Sequence, residues 1–149
     1  MSRVSSSDFV LRPATLADAE TLLRWRNDPE TRRASRETAP VTKREHLEWL
    51  AKSLESATRK LRVVEQSGCS VGVVRADYVD GVHELSWTVA PEARGRGIGK
   101  RMVAEFVREL EGPIQSEVRK DNASSAKIAE FVGMQLVREA EGFLYYSRG

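Results

Sequence analysis

Apolar and polar positions alternate in short blocks along this chain, and the period changes from block to block. Residues 9–12 form a short apolar-rich run that stops at Pro13 and predicts a strand. Ala19, Leu22, Leu23 and Trp25 then fall at helical spacing, behind Thr15 as N-cap with Asp18 three positions on. Asp28-Pro29 interrupts that helix, since a residue before proline is pushed out of the helical region. A basic stretch with Arg32, Arg33 and Arg36 follows. Leu47, Leu50 and Leu54 mark a second helix behind the capping-box pair Thr42 and Glu45. Residues 61–65 and 71–78 predict strands around Ser67-Gly68, and 82–89 a third after Asp80-Gly81. Beyond a glycine-rich turn, Met102, Val103, Phe106, Val107 and Leu110 predict a helix stopped by Gly112-Pro113. Residues 114–118 read as a strand, and about 122–131 as a helix ended by Gly133. Residues 135–138 and 143–146 predict a last pair of strands around Glu141-Gly142.

The predicted order is β-α-α-β-β-β-α-β-α-β-β. Meander strands sit in its middle, and one helix crosses over from the third of them to the next strand. That is the pattern of an α+β, mixed three-layer fold rather than a doubly wound parallel sheet. No repeat or low-complexity linker divides the chain, and 149 residues suit one domain over 1–149. Residues 1–8 are polar and serine-rich, without an apolar signal core, and are expected to be disordered.

Composition narrows the function classes. A formal net charge of +2 is too small to argue for general nucleic-acid binding, though a pI of about 8.8 leaves room for a local basic site. With one cysteine, Cys69, neither an intrachain disulfide nor a cysteine-rich metal site is possible. The two histidines, His46 and His83, have no metal-ligand spacing, so no metal is expected. No apolar run reaches the roughly 20 residues that span a bilayer. A cytoplasmic location without membrane or nucleic-acid partners is the expectation, as monomer or homodimer.

The segment Arg94-Gly95-Arg96-Gly97-Ile98-Gly99-Lys100 joins a strand to a helix. Alternate glycines remove side chains that would block a ligand and let successive N–H groups point into one concavity. The helix N-terminus adds donors and a favourable dipole, and Arg94, Arg96 and Lys100 add charge. A pyrophosphate suits such a turn. The P-loop does not match, because Arg101 follows Lys100 and Arg94 stands where its first glycine belongs. The dinucleotide fingerprint does not match either, because Lys100 replaces its third glycine.

The same segment resembles the acetyl-CoA signature of the GCN5-related N-acetyltransferases, Arg/Gln-x-x-Gly-x-Gly/Ala, through Arg94, Gly97 and Gly99. Its flanks are similar too. The resemblance implies that the strand ending Leu85-Ser86-Trp87-Thr88-Val89 splays from its neighbour and bonds the pantetheine arm through backbone groups at Trp87 and Val89. It implies that Asn122 and Ser125 open the next helix near the coenzyme, and that Gly95, Arg96, Ile98 and Lys100 complete the coenzyme loop. Gly133-Met134 stands where the family has Gly-Phe. The likeness extends over nearly the whole chain. It implies a central mixed, mostly antiparallel sheet of six to seven strands, helices on both faces, and acetyl-CoA as co-substrate.

Acetyl transfer to an amine requires a neutral amine, a polarised thioester and a stabilised thiolate. The family transfers directly, which leaves Cys69 without a role. Glu117, Glu84 and His83 are the candidate bases, and strand alternation prevents His83 and Glu84 from facing the substrate together. Ala129 stands where the family places its tyrosine acid. Ser125 is then a candidate acid, with a helix-cap hydroxyl as the simpler reading, and Tyr145 and Tyr146 are more distant candidates. The runs Trp25-Arg26-Asn27-Asp28-Pro29 and His46-Leu47-Glu48-Trp49 resemble acetyltransferases of nucleotide-linked amino sugars. That resemblance makes Trp25, Arg26 and Asn27 acceptor contacts, with Arg for a diphosphate and Trp for stacking. A protein N-terminus, another small amine and a non-catalytic acyl-CoA sensor remain alternatives. A polyamine is disfavoured by the basic loop.

Overall fold

The structure, a computed structural model, describes residues 8–149. Of the terminus expected to be disordered, residues 1–7 lie outside the described residues. Asp8 is held in place, its carbonyl accepting from the Ser67 N–H at 3.1 Å.

Seven strands build one sheet: β1 (Phe9–Pro13), β2 (Arg59–Gln66), β3 (Cys69–Val79), β4 (Val82–Val89), β5 (Ile114–Arg119), β6 (Gln135–Ala140) and β7 (Phe143–Arg148). Their spatial order is β1-β2-β3-β4-β5-β7-β6, and every pair is antiparallel except β4–β5. The predicted hairpin turns are present. Ser67-Gly68, Asp80-Gly81 and Glu141-Gly142 have φ pairs of 52° and 83°, 52° and 81°, and 52° and 85°. Two successive left-handed residues make a type I′ turn, whose twist matches that of the strands it joins.

The helices are α1 (Ala19–Asn27), α2 (Pro29–Ala34), α3 (Lys43–Glu55), α4 (Ile98–Val107) and α5 (Ala123–Phe131). Both predicted capping boxes form, at Thr15/Asp18 and at Thr42/Glu45. The sequence pattern missed α2. Asp28-Pro29 does end α1, but it also starts the next helix: the Asp28 carboxylate accepts from the Thr31 N–H at 3.1 Å, and Pro29 occupies the first turn, where its missing N–H costs nothing. The fourth helix is shorter than predicted. After Val107 the N–H groups of Arg108, Glu109 and Leu110 bond three residues back, and Leu110 still packs on the core.

Strand alternation assigns the helices to faces. Gly72 on β3 lies against Met102 of α4 and Val89 on β4 beside Gly99 of α4, while Arg75 on β3 reaches Trp49 of α3. Helices α4 and α5 therefore cover one face, and α3 with its neighbours the other. Trp25, Phe106, Leu50, Met102 and Ile114 are the largest fully buried side chains. Each contributes roughly 1.5–3 kcal/mol by burial.

One irregularity positions the site. The parallel β4–β5 ladder contains only His83↔Ile114 and Glu84↔Gln115, and beyond it the strands part.

Candidate active site

The gap between β4 and β5 has polar walls for a topological reason. Neighbouring residues of a strand turn their backbone groups to opposite edges. The His83 N–H bonds Pro113 O at 3.0 Å, and Leu85 O accepts the Ser116 hydroxyl at 3.2 Å, so odd-numbered residues of β4 face β5. Trp87 and Val89 share that parity, and the β5 ladder does not reach them. Their N–H and C=O groups open into the gap. Across it, the Trp87 indole N–H donates to the Ser125 hydroxyl at 3.2 Å. Asn122 caps α5, its side-chain oxygen accepting from the Ser125 N–H at 3.2 Å and the Ser124 hydroxyl at 3.3 Å. The Ser125 hydroxyl is thus not a cap. It accepts from Trp87 and keeps its own proton to donate.

At the end of β4 the chain passes a 3₁₀ turn (Pro91–Ala93) and enters the glycine-rich segment. Gly95 and Gly97 have φ of 79° and 74°, and nothing lies within 4 Å of where a Cβ would stand. Both leave open space, as the sequence predicts. Gly99 differs: a Cβ there would lie 2.6 Å from Ile128 Cδ1 and 3.3 Å from Val89 Cγ2. Its missing side chain lets α4 pack on α5 and β4 rather than clearing room for a ligand. No side chain caps α4, so its first N–H groups and its dipole are available to an anion. Ile98 is buried beneath them, and Arg96 and Lys100 are exposed beside them.

Arg94 does not add free charge to this cradle. Its guanidinium turns to α2, with Asp28 at 2.9 Å, Glu30 at 2.8 Å and the Thr31 hydroxyl at 3.0 Å. Burial pushes the Asp28 carboxyl up, but hydrogen bonds from Arg94 and from Thr31 more than reverse this, and its pKa lies below the usual value.

The opposite face of the gap is lined by Glu84 and Ser86 of β4, Glu117 and Arg119 of β5, and Tyr145 of β7, which stands opposite Glu117. Glu117 is held bidentately by Arg36 at 2.7 and 3.0 Å, and Arg36 also reaches the Tyr145 hydroxyl at 3.4 Å. These bonds, Glu117 first, raise the Arg36 pKa. Glu84 is exposed and accepts only a long bond from Gln115, 3.4 Å, among the described residues. His83 is tied at the far end of β4, its ring 3.1 Å from Glu111 O and tilted against that of Tyr78. Ala129, in the tyrosine position, is fully buried, and Tyr146 bonds Glu130 at 3.3 Å. Cys69 is exposed at the start of β3.

The three expected acceptor contacts are placed unequally. Trp25 is 1% exposed and belongs to the core, so its ring has no free face for stacking. Asn27 spends its amide on Val41, donating to the carbonyl and accepting from the N–H, each at 2.8 Å. It clamps the loop before α3. Arg26 donates to Glu37 O at 2.7 Å from one nitrogen and keeps another, buried and without partner. Arg119 holds the start of the same loop with two bonds to Ser35 O, at 2.9 and 2.7 Å. Sequence reading also missed Arg75, which strand parity places opposite Ser86 on this face.

Among the described residues no cluster of His, Cys, Asp or Glu could hold a metal, and no helix is long and apolar enough to cross a membrane.

A mixed sheet with one interrupted parallel pair, a glycine cradle at the end of the gap and helices on both faces define an acyl-CoA-dependent N-acetyltransferase fold. Residues 8–135 match the family model described as an acetyltransferase (GNAT) domain, and the chain belongs to that family. Solved structures agree in fold. The aminoglycoside acetyltransferase AAC(6')-Ib in complex with coenzyme A superposes with a TM-score of 0.79 at 18% identity, over 94% of each chain. Spermidine N-acetyltransferase from Vibrio cholerae, in complex with CoA and spermine, gives 0.80 at 17%, over 95% of this chain and 94% of that one. The ribosomal L7/L12 alpha-N-protein acetyltransferase RimL, in complex with coenzyme A, gives 0.77 at 13%, over 98% and 96%. No curated protein sequence matches the chain.

Proposed function

We propose that this enzyme transfers acetyl from acetyl-CoA directly to the primary amine of a small molecule, a nucleotide-linked amino sugar being the first candidate. The observation that carries the reading is the β4–β5 gap, walled by Trp87 and Val89 backbone groups and ending at the uncapped α4 N-terminus. The gap suits the amide-bearing pantetheine arm, which bonds like an added strand, and the cradle from Gly95 to Lys100 suits its pyrophosphate. Arg94 serves this cradle by fixing α2 and the turn rather than through its charge.

Chemistry takes place at the mouth of the gap. The neutral amine attacks the thioester carbon, the C–S bond breaks, and the surplus amine proton leaves to a carboxylate. Glu84 is the base, directly or through a water, because it sits at the apex of the splay without a strong cationic partner. Glu117, gripped by Arg36, orients the acceptor face instead. The Ser125 hydroxyl, aligned by Trp87, donates to the departing thiolate in place of the family tyrosine.

The test is thiol release from acetyl-CoA across a panel of amines, with pH–rate profiles for Glu84→Gln and Glu117→Gln. Glu84→Gln is expected to lower kcat about 100-fold or more near neutral pH, the usual weight of a general base. Glu117→Gln is expected to act mainly on KM. Tight coenzyme binding without turnover on any amine overturns the enzymatic reading, and an unchanged rate for Glu84→Gln overturns the base assignment.

A further inference from the structure

We propose that Arg26, Arg32 and Arg75 form an oxyanion pocket beside the gap, which selects amines carrying a carboxylate or phosphate on the same molecule. Its location relative to the reacting amine rests on the acetyl-transfer reading above.

Three guanidinium nitrogens on this side of the sheet are buried and lack a hydrogen-bond partner: Arg26 Nη1, Arg32 Nε and Arg75 Nε. A buried charged donor without an acceptor is costly, and a cluster of them is a place that a guest completes. The local carboxylates complete it only in part. Asp77 is shared between Arg59 and Arg75, and the Arg75 contact, 3.3 Å, is an ion-pair distance without hydrogen-bond geometry. No ion pair involves Arg26 or Arg32 among the described residues. Arg26 is close enough to Arg32 and to Arg75 to be repelled by each. Burial lowers the Arg26 pKa, and Arg32 adds to the lowering against Glu37. Burial likewise lowers that of Arg75, with Arg59 and Arg26 adding to it against Asp77 and Glu84. Trp49 lies alongside, its ring 5.8 Å from the Arg75 guanidinium, and gives the pocket an apolar wall.

Position makes the pocket relevant to the acceptor. Arg75 stands opposite Ser86, one strand in from the gap, about 5 Å away. Glu84 stands two residues from Ser86 on the same face. An ammonium received at Glu84 therefore sits beside an anion received at Arg75 and Arg26. A zwitterionic acceptor satisfies both ends, whereas a polyamine meets guanidinium groups in place of carboxylates.

Two experiments keep this proposal separable from the catalytic one. In the first, the protein is saturated with coenzyme A, so that its pyrophosphate cradle is blocked, and is titrated with inorganic phosphate by NMR or thermal shift. Binding is expected, and Arg75→Gln is expected to weaken it about tenfold or more, the weight of a charge-assisted hydrogen bond. Arg75→Gln leaves Asp77 paired with Arg59, and Arg75→Lys, which keeps the charge, is expected to weaken binding less. No binding, or equal binding by all three proteins, overturns the pocket whether or not the protein acetylates anything.

In the second, kcat/KM is compared for ethanolamine, β-alanine and phosphoethanolamine, and for a free amino sugar against its phosphate ester. The members that carry an anionic group are expected to win, and Arg75→Gln to reduce their advantage about tenfold. Preference for the carboxylate or for the phosphate identifies the source of the oxyanion. Preference for the amine that lacks an anionic group overturns the proposal.

Discussion

Arg94 separates two physical roles that one motif position can fill, and Arg94→Gln tells them apart. In the structure its guanidinium ties the cradle to α2. The Glu30 contact is exposed at 66% on the carboxylate side and contributes little, as surface ion pairs do. The Asp28 contact is more enclosed, 19% exposed against 33% for Arg94, and is joined by the Thr31 hydroxyl. A charge-assisted bond there, discounted for solvent screening, is worth about 1–2 kcal/mol. For a chain of this length that lowers Tm by roughly 3–6 °C. Chemical denaturation of Arg94→Gln, Asp28→Asn and the double variant should give a coupling of about 1 kcal/mol.

The pH dependence has a definite sign. The folded-state pKa of Asp28 lies below its unfolded value, so the pair stabilises the fold above the unfolded pKa of about 3.9 and loses that contribution as pH falls through the folded value. The stability gap between wild type and Arg94→Gln should therefore close below about pH 4. Coenzyme affinity, read by calorimetry, should change by less than about threefold, well under the effect of losing a charge-assisted bond. A tenfold or greater loss of coenzyme affinity with an unchanged Tm would refute the reasoning, since it requires Arg94 to bond the pyrophosphate.

Two further outcomes follow from packing and charge. Gly99→Val should lose about 1–3 kcal/mol by overpacking against Ile128, and a second change, Ile128→Ala, should recover part of the loss in a urea titration; a fully stable single variant refutes the packing role. Asp18 is held below its usual pKa, chiefly by the Arg12 hydrogen bonds at 2.7 and 2.9 Å, so its stabilisation is present above the unfolded pKa and lost as pH falls through the folded one. Asp18→Asn should flatten the acid limb of the stability–pH curve while leaving the limb above neutrality unchanged in slope.

What could be read from the sequence was local. The three hairpin turns are specified by a glycine at the second turn position, and the two capping boxes by residues three apart. The glycine-rich cradle proposed for the coenzyme is legible because its parts are contiguous. What could not be read depends on neighbours distant along the chain. Asp28-Pro29 looks like a stop, because only its capping bond shows that it also starts a helix. Gly99 looks identical to Gly95 and Gly97 until Ile128, 29 residues away, is brought against it. Trp25 resembles a stacking platform until the sheet buries it. The arginines with an unpartnered nitrogen come from α1, α2 and β3, and only the folded sheet brings Arg75 beside Arg26.

The short β4–β5 ladder has another consequence, for solubility. An open strand edge ordinarily recruits other chains, and aggregation follows. Here one open edge lies inside the sheet, between two hydrogen-bonded halves, where a stranger's strand has no room to run alongside. Of the two outer edges, β6 is guarded differently: it carries Arg138 and Glu139, and its register slips between Leu136 and Arg138. The fold thus keeps an unpaired strand for use without offering it for polymerisation.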